Sequence, residues 1–391
     1  MTQHPFAAPR VLPLLVLAQF LGTSPWFAVN AVMPDLQREF GWPAAAVGSL
    51  TSAVQLGFIV GALVFALLAL ADRFEPRRVF LLCALASAGC TLAAVTWAES
   101  FSALLVWRAL TGFFLAGIYP VGMKIAAQWF PRGLGAAMGL LIGALVLGSA
   151  LPHALRALAD GLTGWPWQSV FHAVAGASLL AGVLLMWGVP EPAVATQRAP
   201  GLNLRALRSL VTDRLVRASV FGYFGHMWEL YTMWVLVPLV LATRLVGTAA
   251  SWAAFAVLGA GALGCVLGGW AALRVGSARV AGAQLATSGL CCLAAPWLID
   301  APAPLFYGWL VLWGITVAGD SPQFSALTAS NAPRDGVGSV LTLTNSIGFA
   351  ISIVSIQLFV GLAQTVPLAQ LLPWLAVGPA LGLLALRPLL R

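Results

Sequence analysis

Long uncharged apolar runs, following one another along the whole chain, restrict this sequence more than any motif does. About 20 apolar residues at 1.5 Å each cross the hydrocarbon layer of a bilayer. On that rule the sequence predicts twelve spans, over 11–33, 44–70, 78–98, 101–127, 134–155, 169–189, 215–240, 252–273, 279–298, 304–328, 337–360 and 366–386. With 60% hydrophobic and 8% charged residues, a water-soluble fold would expose far too much apolar surface. The expected fold class is therefore all-α: an integral membrane protein of twelve transmembrane helices. Arg10 precedes the first run, whose apolar core is too long for a signal peptide and lacks a small-residue cleavage site, so it reads as an uncleaved first span.

The sequence also repeats itself at long range. Shifted by 202 positions, Trp107, Gly112, Ala116, Gly117, Pro120, Ala127, Pro131 and Arg132 fall on Trp309, Gly314, Ala318, Gly319, Pro322, Ala329, Pro333 and Arg334. An offset of about half the chain is too long for a solenoid and fits a duplicated half. The copies differ chemically, since Arg108 faces Leu310 and Ile118 faces Asp320. Residues 190–214, rich in proline and arginine, form the expected cytoplasmic linker between an N-terminal half, 1–189, and a C-terminal half, 215–391.

Charge orients the spans. With both termini cytoplasmic, 16 Lys and Arg residues fall on the inner side, and Arg38, Arg156 and Arg244 alone fall in the outer loops. That imbalance is the positive-inside pattern of a multi-pass protein, here of a bacterial-type inner membrane. The net charge of +8 would suggest nucleic acid in a soluble domain, but charge sorted by membrane side implies no such partner. Trp26, Trp42, Trp97, Trp165, Trp167, Trp252 and Trp297 stand near expected span ends, where indole prefers the interface. Five cysteines, all inside apolar runs, argue for buried free thiols rather than a disulfide framework.

Two loops then suggest a family. Asp72-Arg73-Phe74-Glu75-Pro76-Arg77-Arg78 stands between spans 2 and 3, and Gly269, Arg274, Gly276 and Arg279 stand at matching spacing between spans 8 and 9. Together with twelve spans, two halves and a basic middle loop, this resembles the major facilitator superfamily of transporters. Leu68 and Glu75 replace glycines of that signature in the first copy, and Leu273 replaces the acid in the second. Arg108 with Gly112 resembles the family's arginine-glycine pattern in span 4. Gly135, Gly139, Gly143 and Gly148 partly match its antiporter motif in span 5, with Pro152 too late for a direction of transport to be read. The resemblance implies that spans 5 and 8, the latter with Gly264 and Gly268, pair across the interface between halves, where glycines permit close approach. It also implies that Asp72 meets a helix N-terminus and, with Arg73, Arg77 and Arg78, gates the cytoplasmic side.

Ionisable groups inside spans cost roughly 2.5–3.5 kcal/mol each on insertion scales, so each needs a reason. In span 7, His226 and Glu229 are three residues apart and share a helix face, forming an expected proton-exchanging pair. Asp320 stands in Gly319-Asp320-Ser321-Pro322-Gln323, where proline interrupts the backbone ladder and suits the carboxylate to proton or cation coordination. Arg108 stays charged and must pair with Glu229, Asp320 or the solute. These four are the expected proton-coupling set. Tyr223, Tyr231, Trp228, Gln323, Lys124, His153 and Asn345 are the expected substrate-binding residues, although Lys124 equally reads as a residue snorkelling to the cytoplasmic face.

No GxxxxGK[ST] loop, metal-ligand cluster or Ser-His-Asp set occurs, so ATP-driven pumping, a metal, any other cofactor and enzyme activity are not expected. The sequence predicts a monomeric secondary transporter moving a small solute by alternating access, with protons as coupling partner. Arg108, Lys124, His153 and His226 lean toward a small organic anion, while Glu229 and Asp320 allow a cation or a drug-like amphiphile. An uncoupled facilitator or channel is the alternative from another class.

Overall fold

The computed structural model describes residues 8–97, 99–130, 134–191 and 203–390. Pro131, Arg132, Arg198, Arg391 and the middle of the 190–214 linker, 192–202, lie outside these. The described residues are almost wholly helical and contain no strand. Ten helical stretches among them are long and apolar enough to cross a membrane. Two more complete the set: Ser277–Leu298, long enough but with Arg279 and Gln284 in a less apolar sequence, and Ala303–Gly319, strongly apolar but cut short at Asp320 before Ser321–Asn331. The twelve expected spans thus stand as ten and these two.

In chain order the main helices are α1 (Ala8–Gly22), α2 (Ala28–Phe40), α3 (Ala46–Leu67), α4 (Pro76–Thr96), α5 (Phe101–Leu115), α6 (Tyr119–Trp129), α7 (Leu134–Leu158) and α8 (Gln168–Gly188). They continue with α9 (Arg214–Leu241), α10 (Gly247–Gly259), α11 (Gly261–Val275), α12 (Ser277–Leu298), α13 (Ala303–Gly319), α14 (Ser321–Asn331), α15 (Val337–Leu362) and α16 (Val377–Leu390). Helix α3 packs on α5 and α15, α7 on α10 and α11, and α9 on α15 and α16.

Three of the interrupted spans are broken beside a proline and border the central part of the bundle. Between α1 and α2 the segment Ser24–Phe27 is a 3-10 turn. Pro25 has no N–H for the carbonyl of Leu21, and Ser24 Oγ donates there instead, at 2.7 Å. Between α13 and α14, Pro322 likewise leaves the Ala318 carbonyl free, and Cys265 Sγ donates to it at 3.4 Å. The third break separates α5 from α6 before Pro120. Helix α5 with α6 and helix α13 with α14 start at positions 202 apart, 101 and 303, then 119 and 321. The sequence repeat therefore marks two helices broken at corresponding points.

Close packing explains why the repeat keeps its glycine. A Cβ on Gly112 would overlap the Val54 carbonyl of α3, and one on Gly314 would overlap the Val257 carbonyl of α10. Gly139 and Gly143 of α7 do approach α11, where a Cβ would stand 3.3 Å from the carbonyls of Cys265 and Ala262. Gly264 and Gly268, expected at that same interface, face Ile315 and Gly319 of α13 and Gln284 of α12 instead. Gly148 faces the Phe20 carbonyl of α1. Trp26 and Trp167, expected at the interface, are 1% and 5% exposed; the turn at Ser24–Phe27 directs Trp26 inward, and Glu39 accepts the Trp167 indole N–H at 2.6 Å.

Candidate functional site

Helix α9 is started by Asp213, whose Oδ1 accepts the backbone N–H groups of Leu215 at 2.8 Å and Val216 at 3.0 Å. Its middle carries His226 and Glu229, 1% and 0% exposed. The structure separates these two. His226 Nδ1 stands 2.8 Å from Asp320 Oδ1, and Asp320, 0% exposed, sits at the break between α13 and α14. The ring N–H does not point along a hydrogen bond to the carboxylate, so the two groups meet as a close polar pair, which is an ion pair when the imidazole carries its second proton. Tyr223 and Phe324 flank the imidazole, with ring centroids at 5.6 and 6.1 Å.

Glu229 turns into the space between α9, α12 and α13. Its Oε1 accepts Trp313 Nε1 at 2.6 Å and Cys292 Sγ at 3.1 Å, and its Oε2 accepts Ser288 Oγ at 2.8 Å. The expected His226–Glu229 pair is therefore replaced by His226–Asp320. A three-residue step leaves side chains about 60° apart around a helix, enough here for each to meet a different neighbour.

Arg108 is 1% exposed and pairs with neither expected acid. Its Nη2 donates to the Trp26 carbonyl at 2.5 Å, within the turn that breaks the first span, while Nε and Nη1 have no acceptor. Lys124 also leaves the expected solute site. It donates to the Ala71 carbonyl at 2.6 Å and pairs with Asp72 at the end of the bundle where α1 begins. Asp72 thus meets a lysine rather than the helix N-terminus implied by the family resemblance. Glu75 binds both Arg77 and Arg78, the latter at 2.8 Å, and Arg77 Nη1 donates to the Val189 carbonyl at 2.8 Å. Arg73 is exposed. Glu75 has φ −59°, whereas Gly276 at the matching place has φ 87°. The first loop has no left-handed turn at that point, so a side chain fits where the signature has glycine.

A central cavity of about 30 Å³ opens between α7, α9, α14 and α15. Tyr223, Tyr231 and Asn345 line it, as expected. Trp228, Gln323, Lys124 and His153 do not. Trp228 faces the other side of α9, on an apolar pocket of about 260 Å³ with Phe359 and Trp374. Gln323 is buried in α14, while Ser321 and Ser325 of that helix reach the cavity. His153 is buried within α7 with Nε2 unpartnered.

Trp26, Tyr119, Trp234 and Phe349 complete the aromatic wall and were missed in the sequence. Two signals pointed there. Pro25 breaks span 1 beside Trp26. In the 202-residue repeat, the residues preceding Pro120 and Pro322, Tyr119 and Ser321, both line the cavity.

Broken membrane helices converging on a buried polar pair and a central cavity define a carrier of small solutes. The chain belongs to the Major Facilitator Superfamily, whose model matches residues 15–356. It is 29% identical over 256 residues to a chloramphenicol resistance protein of Streptomyces lividans, covering 64% of each chain. It is 27% identical over 340 residues to a gallate transporter of Pseudomonas putida, covering 78% of this chain and 73% of the relative. Its fold matches the crystal structure of the human organic anion transporter MFSD10 with a TM-score of 0.75 at 17% identity, over 98% of this chain and 100% of that one. Several curated relatives are matched over 59 to 64% of their length.

Proposed function

We propose that the protein is a proton-coupled secondary transporter of a small organic solute. Its two six-helix halves, 1–189 and 215–391, rock about the central cavity on the 190–214 linker, with both termini in the cytoplasm. One observation carries this reading: His226 and Asp320 form a close polar pair, both at most 1% exposed, at a helix break next to the cavity. Their neighbour Ser321 is part of the cavity wall.

An imidazole and a carboxylate in contact carry no net charge between them when both are ionised, which lowers the cost of holding them in a bilayer. Either partner can exchange a proton once the other moves away. Both groups belong to the C-terminal half, so a local bend at the break between α13 and α14, accompanying the rocking, separates the pair and exposes it to one side of the membrane. Solute entry and proton transfer are then linked through the same helix break. Chloramphenicol and gallate are both ring compounds, and the relatives named for them support a ring-bearing solute.

The test is solute accumulation in proteoliposomes under an imposed pH gradient, with a pH-sensitive dye inside. Asp320→Asn and His226→Gln are expected to cut gradient-driven accumulation at least tenfold while solute still equilibrates. Wild-type accumulation and proton flux in Asp320→Asn would refute the coupling role.

A further inference from the structure

The cavity wall has a chemical bias that the proton site does not explain. Its lining is wholly uncharged: rings from Trp26, Tyr119, Tyr223, Tyr231, Trp234 and Phe349, aliphatic side chains, and the polar groups of Ser321, Ser325 and Asn345. The four cations that favoured an anionic solute are engaged or placed elsewhere. Arg108 holds the Trp26 carbonyl, Lys124 holds Asp72, His226 holds Asp320, and His153 lies outside the wall.

Two wall residues have an unmet need. Trp26 and Trp234 are each 1% exposed, and the indole N–H of neither has an acceptor. An indole nitrogen only donates, and a buried donor without a partner costs free energy until something accepts from it. The rings are already set for stacking: Trp26 lies against Phe349 at 5.5 Å and 28°, and against Tyr231 at 6.1 Å and 10°. A carboxylate placed there would lose its hydration with no guanidinium or ammonium in the wall to compensate, since Arg108 stands behind the Trp26 backbone. An ammonium would find ring faces and hydroxyl or amide oxygens but no carboxylate, and it could not accept from the two indoles.

We infer that the cavity takes an uncharged aromatic solute bearing oxygen acceptors, stacked in the Trp26–Tyr231–Phe349 group and accepting from the Trp26 and Trp234 indoles. In this conformation the cavity has room for about one water, so the ring enters as the two halves part and the aromatic side chains separate. The inference rests on the central cavity being the solute site, as proposed above, and not on proton coupling.

Three probes of one ring separate the possibilities: 4-nitrobenzyl alcohol, 4-nitrobenzoate and 4-nitrobenzylamine, which differ in charge at a single substituent. Binding to the purified full-length protein in nanodiscs at neutral pH is read by quenching of tryptophan fluorescence, with no gradient present. Failed proton coupling therefore leaves this readout intact. The alcohol is expected to bind at least tenfold more tightly than either charged probe. Trp234→Phe, checked for an unchanged thermal midpoint, is expected to weaken it about fivefold. If the benzoate binds as tightly as the alcohol and loses that affinity in Arg108→Gln, the guanidinium belongs to the solute and the inference fails. Preference for the amine, or no binding of the alcohol at millimolar concentration, overturns it as well.

Discussion

Glu229 shows how far a single residue can be read from sequence. Its type and depth were legible, and an acid inside a span does demand partners. Which partners it takes depends on the neighbours of α9, and Ser288, Cys292 and Trp313 lie 59, 63 and 84 residues away. All three donate to the carboxylate, which makes Glu229 the bolt joining α9 to α12 and α13 rather than a partner of His226. Glutamine keeps an acceptor for Trp313 and Cys292, and its amide can donate to Ser288 Oγ, whose proton can turn to the Leu285 carbonyl at 3.1 Å. Glu229→Gln is therefore expected to lower stability by about 1 kcal/mol. Glu229→Ala strands two buried donors and costs about 1–3 kcal/mol for each. Detergent thermal midpoints check this ordering, and the proton-to-solute ratio of Glu229→Gln should equal that of the parent. A folded Glu229→Gln that binds solute but moves no protons would return this residue to the coupling set.

At the scale of elements, most of the fold was legible because apolar length and proline breaks are local properties. Pro25, Pro120 and Pro322 announce three of the interruptions, and the 202-residue repeat places two of them in register, whereas the break at Ala260 between α10 and α11 has no proline to announce it. What a helix meets is not local, which is why Gly264 and Gly268 were expected against span 5 and instead admit α13. The conserved chemistry of the repeat itself, Gly112 and Gly314, has a packing cause: each lets a carbonyl of a neighbouring helix come closer than any side chain would permit. Alanine at either site forces the helices apart, an overpacking that costs about 1–3 kcal/mol. Gly112→Ala and Gly314→Ala should each lower the thermal midpoint, whereas Gly176→Ala, with nothing within 4 Å of its added Cβ, should not. Equal midpoints for all three would show that the close approaches at Val54 and Val257 relax without cost.

Across the molecule as a whole, three side-chain hydrogen bonds between described residues tie the first six spans to the last six. Ser352 Oγ donates to Gln55 Oε1 at 3.0 Å, Gln357 Nε2 to Ser52 Oγ at 2.8 Å, and Thr248 Oγ1 to Asp160 Oδ2 at 2.9 Å. All three lie in the half of the bundle away from the start of α1, with Ser352–Gln55 nearest its middle, and Gly48 packs against Val360 toward that end. At the other end, Asp72 binds Lys124 within the first six spans, and Asn203 binds Asp335 and Ser339 within the last six. None of these pairings was legible, since neutral residues 297 and 305 positions apart leave no pattern in a single sequence. Their placement gives the bundle a latch at one end. Each neutral bond contributes about 1 kcal/mol net, so removing two shifts the opening equilibrium by about 2 kcal/mol, roughly 30-fold. Val360→Cys, 2% exposed in the parent side chain, reports that opening through its labelling rate with a membrane-impermeant maleimide. Adding Ser352→Ala and Gln357→Leu should raise the rate on the order of tenfold or more. An unchanged rate in a folded triple variant would mean that helix packing around position 360 holds that end shut without help from its hydrogen bonds.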